Sequence, residues 1–147
     1  VTDLDAPTEF GGPTQVLLHR PPLLLLDCIQ EATEESCLAT VRVDPTAWYA
    51  EPDGAMPGWF GIELMAQAVS AFSGSNKHRV GLPPRIGFLL GTRDYECRVP
   101  RFPAGEALEV EVRLNYFDES GLSAFACEIR QLGQTVARAT LKTFEPT

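Results

Sequence analysis

Residues 56–75 read MPGWFGIELMAQAVSAFSGS. After Pro57, apolar side chains follow one another on every side of a helical projection, from Trp59, Phe60 and Ile62 through Leu64 and Met65 to Val69 and Phe72. A helix that is apolar all round belongs inside a protein. The polar exceptions Glu63, Gln67 and Ser70 are spaced i, i+4, i+7 and share one narrow stripe. The pattern therefore predicts a core helix of about four turns, stopped at Gly74, with a single carboxylate. A carboxylate carried into a core is costly unless it is hydrogen-bonded or has chemistry to do. Glu63 is thus either tied to a neighbour or seam, or a general acid or base whose pKa burial lifts toward working pH.

The flanks are mostly strand. Leu108–Tyr116 (LEVEVRLNY) alternates apolar and polar residues with period two, the pattern of a sheet with one face buried. The turn residues Asp118–Gly121 return the chain into Leu122–Gln131, and Gly133 into Gln134–Phe144. Upstream, Glu35–Val43 alternates well enough for a strand, Leu23–Gln30 reads as a buried one, and residues 86–99 as one more. Early strands, one long helix and an antiparallel meander make an α+β fold. The sheet has to wrap the helix, because nothing else in the chain can cover it.

The chain has 147 residues, which fits a single domain over 16–147 behind a solvated, flexible leader at 1–15. With 44% apolar and 22% charged residues it is an ordinary globular sequence. Its net charge of −8 argues against nucleic acid as partner. No apolar run approaches the roughly 18 residues of a membrane span. Cys28, Cys37, Cys97 and Cys127 form no C-x-x-C pair and have no His at metal-ligand spacing. They read as buried free thiols of a reducing cytoplasm, and no metal site is expected. Charge is unevenly spread: residues 77–101 carry +4 in an otherwise acidic chain. That island is either a scatter of solvated arginines or a dock for a small acidic partner.

Three stretches, LLHRPPLLLLD (17–27), MPGWFGIELMAQA (56–68) and FLLGTRDYECRVPRFPAGEALEVEV (88–112), together resemble the hotdog-fold 3-hydroxyacyl-acyl-carrier-protein dehydratases of the FabZ and FabA type. The pairing of HRPP-LLLLD with P-x-W-x-GIE-x-MAQ resembles the branch found in aryl-polyene pathways (ApeP-like). The resemblance spans nearly the whole chain. It implies a hotdog fold, a homodimer or a heterodimer with a related subunit, and an acyl-carrier protein presenting the substrate on its phosphopantetheine arm. No cofactor is implied.

By the same resemblance Glu63 matches the helix carboxylate, and Gly58 the position whose amide binds the thioester carbonyl. Gln67 then steadies the carboxylate. One departure stands out: the position of the FabZ-type histidine is occupied by Tyr49, and no His lies between 20 and 77. His19, inside LLHRPP, is the candidate replacement base, or else a structural residue. Tyr49 fills the pocket or donates a hydrogen bond, and His78 reads as a surface residue. Trp48, Trp59 and Phe60 line a tunnel or pack the core, while Asp27 and Arg20 are expected to be structural, salt-bridged near the subunit seam. Three functions remain open on this reading: dehydration of 3-hydroxyacyl thioesters to trans-2-enoyl thioesters, hydrolysis as a hotdog thioesterase, and service as a weakly catalytic partner in a heterodimeric dehydratase.

Overall fold

A computed structural model describes residues 12–146. One helix, α1 (Gly61–Arg79), lies against an antiparallel sheet ordered β1 (Cys28–Ala32), β2 (Ser36–Arg42), β7 (Ala107–Phe117), β8 (Leu122–Gln131), β9 (Gln134–Phe144) and β4 (Phe88–Gly91). A short β5 (Glu96–Cys97) also pairs with β9, while β3 (Met56–Pro57) and β6 (Arg101–Phe102) form a separate two-stranded ladder. This is the hotdog arrangement: the inward residues of the meander, Leu108, Val110, Val112, Phe125, Ile129 and Leu141, close over Leu64, Met65 and Ala68 of the helix. Period-two alternation delivers one side of each strand to that core.

Several expectations need correcting. The helix does not stop at Gly74 but runs on to Arg79, entered through a 3-10 turn at Gly58–Phe60. Gly74 is there for space: the carbonyl of Val16 lies where a Cβ would stand. Nor is the helix buried all round. Ile62, Glu63, Ala66, Ser70 and Ser73 form a half-exposed stripe, and Trp59 is exposed. Leu23–Leu26 lies outside the strands and β1 begins only at Cys28, although Leu25 and Leu26 are still buried. The single strand expected over 86–99 is two short pieces, β4 and β5. The pairing of β3 with β6 has too few residues to show any periodicity in sequence. Of the expected leader, residues 1–11 lie outside the described residues, and Pro13–Gln15 form a 3-10 turn.

Candidate active site

The carboxylate at 63 is placed by its own helix. Gln67, one turn on and fully buried, donates from Nε2 to Glu63 Oε1 (2.9 Å) and to the Leu23 carbonyl (2.8 Å). Its Oε1 accepts the Leu25 N–H at 2.9 Å. Both ends of this amide are therefore committed, which fixes the orientation of Glu63 and ties the Leu23–Leu25 segment to the helix. Glu63 itself is not the buried carboxylate expected from the sequence. Its side chain is 46% exposed, because the stripe it belongs to is uncovered in the single chain.

His19 arrives from the other direction. Val16 and Leu17 are buried, and the Val16 carbonyl sits in the notch left by Gly74. Arg20 braces the bend, donating to the carbonyls of Leu17 (2.6 Å), His19 (2.8 Å) and Thr14 (3.3 Å). The result sets His19 Nε2 3.9 Å from Glu63 Oε1. Both line a cavity of about 160 Å³ with Ala66, Ser70, Arg85, Phe88 and Phe144. The other ring nitrogen, Nδ1, is shielded and has no hydrogen-bond partner among the described residues. Nε2 is therefore the nitrogen that faces the cavity chemistry. An imidazole and a carboxylate side by side can accept one proton and deliver another to neighbouring atoms of a single ligand.

The Gly58 amide, matched by resemblance to a carbonyl-binding position, has a partner within the chain. It is already donated to the Pro100 carbonyl at 3.0 Å, because the ladder of β3 with β6 carries the entry of the turn. Gly58 is confined on its other side as well, with Val99 O and Cys97 Sγ occupying the space a Cβ would need. Its carbonyl accepts the Tyr95 hydroxyl at 2.5 Å. The next amide along the 3-10 turn is that of Trp59, in the helix-start region where N–H groups outnumber acceptors.

Tyr49 is turned to a structural task, accepting the Asp44 N–H at 2.9 Å while its ring packs at 5.7 Å from Phe60. Burial pushes its phenol above the ordinary range, further from use as a base. Trp48 and Trp59 are exposed rather than core residues, and only Phe60 among the three is half-buried. Asp27 and Arg20 do not pair: the carboxylate accepts the Arg42 N–H at 2.6 Å, and Arg20 spends itself on the carbonyls named above. His78 is exposed. Part of the basic island is neutralised internally, with Arg101 on Asp53 (2.9 Å) and Lys77 on Glu145. Arg85, Arg93 and Arg98 are exposed. Among the described residues no group of three or more His, Cys, Asp or Glu is placed to hold a metal ion, and no helix is long and apolar enough to cross a membrane.

The braced His19 loop, the notch at Gly74 and the rim position of Arg85 were not read from sequence. A glycine within an apolar helix was the available signal for the second, since such a residue often marks a close approach.

A single helix wrapped by an antiparallel sheet defines a hotdog-fold chain, and the comparisons with known proteins say which hotdog family it falls in. The family model described as ApeP dehydratase (ApeP-like) matches residues 12–147, so the chain belongs to the ApeP-like dehydratase family. Among solved structures, a chain of the dehydratase heterocomplex ApeI:P from Xenorhabdus doucetiae superposes with a TM-score of 0.87 at 30% identity, covering 92% of this chain and 91% of that one. A hypothetical thioesterase with coenzyme A from Streptococcus pneumoniae gives 0.63 at 14% identity over 80% and 83%. The PaaI protein of the Escherichia coli phenylacetic acid degradation operon gives 0.62 at 16% over 79% and 80%. These last two speak to the fold alone. A search of curated proteins finds no match.

Proposed function

We propose that this chain dehydrates 3-hydroxyacyl thioesters, carried on the phosphopantetheine arm of an acyl-carrier protein, to trans-2-enoyl thioesters. The observation that carries the reading is the 3.9 Å approach of His19 Nε2 to Glu63 Oε1 inside one cavity. His19 takes the C2 proton, the C2–H electron pair becomes the new C2–C3 double bond, and the C3–O bond breaks. Protonated Glu63 delivers its proton to the departing hydroxyl, which leaves as water. Two groups this close serve hydrogen and hydroxyl leaving from the same face of the chain. The products of the step are an imidazolium and a carboxylate side by side, which stabilise one another. With the Gly58 amide occupied, the Trp59 N–H is the donor assigned to the thioester carbonyl, where a helix start favours developing negative charge.

The working unit is proposed to be a pair of hotdog chains. The half-exposed stripe around Glu63 and the exposed apolar residues of β4, Phe88, Leu89 and Leu90, form an unpartnered face and edge. A second, related hotdog subunit would cover them and bring a histidine of its own where this chain has Tyr49. Exposed Arg85 at the cavity rim, with Arg93 and Arg98, offers positive charge to an acidic carrier. Cysteines that form no disulfide fit a reducing cytoplasm.

The test is turnover of a 3-hydroxyacyl thioester by the purified chain, alone and with a second hotdog subunit, read by mass spectrometry. Loss of one water is the expected result. Release of free acid would instead make the protein a thioesterase, and absence of product from both preparations would overturn the reading.

A further inference from the structure

The turn that opens α1 is seated on the segment 95–100, and the seat is built around the peptide groups of Gly58. Its N–H is donated to the Pro100 carbonyl at 3.0 Å. Its carbonyl accepts the Gly61 N–H, which closes the 3-10 turn, and also the Tyr95 hydroxyl at 2.5 Å. A backbone carbonyl has two lone pairs, and here both are used.

Two glycines make room for this contact. Gly61 has ordinary helical angles, φ −56° and ψ −34°, so conformation does not call for glycine there. Space does: a Cβ on Gly61 would overlap the Tyr95 hydroxyl, and one on Gly58 would overlap the Val99 carbonyl. Glycine is a poor helix former, and in this first turn it admits the phenol. Tyr95 is half-buried against the core, which holds its ring in place. Burial pushes the phenol well above its ordinary range, so the hydroxyl keeps its proton and stays a donor at working pH.

The carbonyl that Tyr95 engages and the Trp59 N–H are the two ends of one planar amide. A donor at the oxygen draws electron density from the nitrogen, and such chaining strengthens the hydrogen bond at the far end by about 10–30%. It also fixes the rotation of the plane, and with it the direction of the Trp59 N–H. That N–H stands at the positive end of α1, about one turn ahead of Glu63.

We propose that Tyr95 is a positioning residue for the thioester: through the Gly58–Trp59 amide it aims and strengthens the N–H that polarises the substrate carbonyl. This rests on the acyl-thioester reading above and on the assignment of the Trp59 N–H to that carbonyl. In this role Tyr95 touches neither the substrate nor the reacting atoms, so its effect is graded. A preorganised donor to developing negative charge is worth about 10²–10³ in kcat. Weakening it by about 10–30% removes about 2–8-fold.

The experiment reads the bound carbonyl directly. Butyryl pantetheine, isotope-labelled at its thioester carbonyl, has no 3-hydroxyl to lose, and difference infrared spectroscopy isolates its C=O stretch. On the parent chain the band is expected below its frequency in buffer. Tyr95→Phe keeps the ring and removes only the hydroxyl, so the band should move back toward the free frequency. With a 3-hydroxyacyl thioester, kcat should fall about 2–8-fold with KM little changed, the mark of an interaction made in the transition state. Placing 3-fluorotyrosine at 95 gives a more acidic phenol of nearly the same shape. It should push the band further down, a result that does not require Tyr95→Phe to fold. A merely structural clamp predicts neither shift. A Tyr95→Phe band at the parent position, or a band that 3-fluorotyrosine leaves in place, would overturn the role of Tyr95. A parent chain that binds the analogue without shifting its band, or fails to bind it, would overturn the acyl-thioester site itself, which keeps the two failures distinct.

Discussion

His19 Nε2 lies 3.9 Å from Glu63 Oε1, although the two residues come from a braced loop and a helix more than 40 positions apart. In the proposed dehydration each handles one proton of the same elimination, so their losses should not add. His19→Ala and Glu63→Gln are each expected to lower kcat by about 10²–10⁴. The double variant should be no slower than the worse single one. Rates are read by mass spectrometry with melting curves alongside, and full activity in either folded single variant removes that residue from the chemistry.

Gln67 offers a second test, because its amide satisfies two backbone groups as well as the carboxylate. Gln67→Leu keeps the volume and strips every one of these bonds. Leaving the Leu25 N–H and the Leu23 carbonyl unpaired should cost about 2–4 kcal/mol of stability in denaturant unfolding. Activity should fall at temperatures where the variant is still folded, since Glu63 loses its fixed orientation. A variant as stable as the parent would show that water replaces the amide.

How far the sequence carried this picture depended on the kind of signal. The meander was readable because Leu108, Val110 and Val112 repeat with period two and the turns at Gly121 and Gly133 punctuate it. Glu63 and Gln67 were readable because helical spacing puts them on one stripe, and their bond is present at 2.9 Å. Glycine was misread: Gly74 looked like a helix stop, whereas its meaning lies in the Val16 carbonyl, 58 positions earlier, which no local pattern contains. Exposure of Glu63 and Trp59 was missed for a related reason. An apolar residue is equally apolar whether its own fold or a second subunit covers it. The bonds of Ser73 and Lys77 to Glu145 tie the helix to a segment about 70 positions further on, again beyond any periodicity.

The thiols make a pH-dependent prediction. Burial pushes Cys37 and Cys127 up to about 12 from an ordinary value near 9. At pH 8 only about one molecule in 10⁴ carries either thiolate, so alkylation of the folded protein should start at half-buried Cys97. Unfolded, the same two thiols lose their protons near pH 9. The unfolded chain thus binds fewer protons than the folded one between about 9 and 12, and stability falls as pH rises through that window. Cys37→Ala should flatten part of the decline in Tm above pH 9. Equal labelling of all four cysteines, or the same slope in the variant, would contradict the buried assignment.

Gly74 links stability to the site. Alanine in place of glycine inside a helix ordinarily stabilises by up to about 1 kcal/mol. Here the added methyl would overlap the Val16 carbonyl, and that carbonyl belongs to the segment that carries His19 to Glu63. Gly74→Ala is therefore expected to destabilise by about 1–3 kcal/mol, the cost of forcing atoms into a filled space. Its activity should also drop where the protein remains folded, because relief comes by pushing Val16, and His19 behind it, away from the helix. The accompanying change is separable from general damage. In Gly74→Ala the further loss caused by adding His19→Ala should be much smaller than in the parent, since the histidine has already left its place. If Gly74→Ala melts higher than the parent and keeps its rate, the Val16 segment does not hold His19, and the placement of the base falls with it.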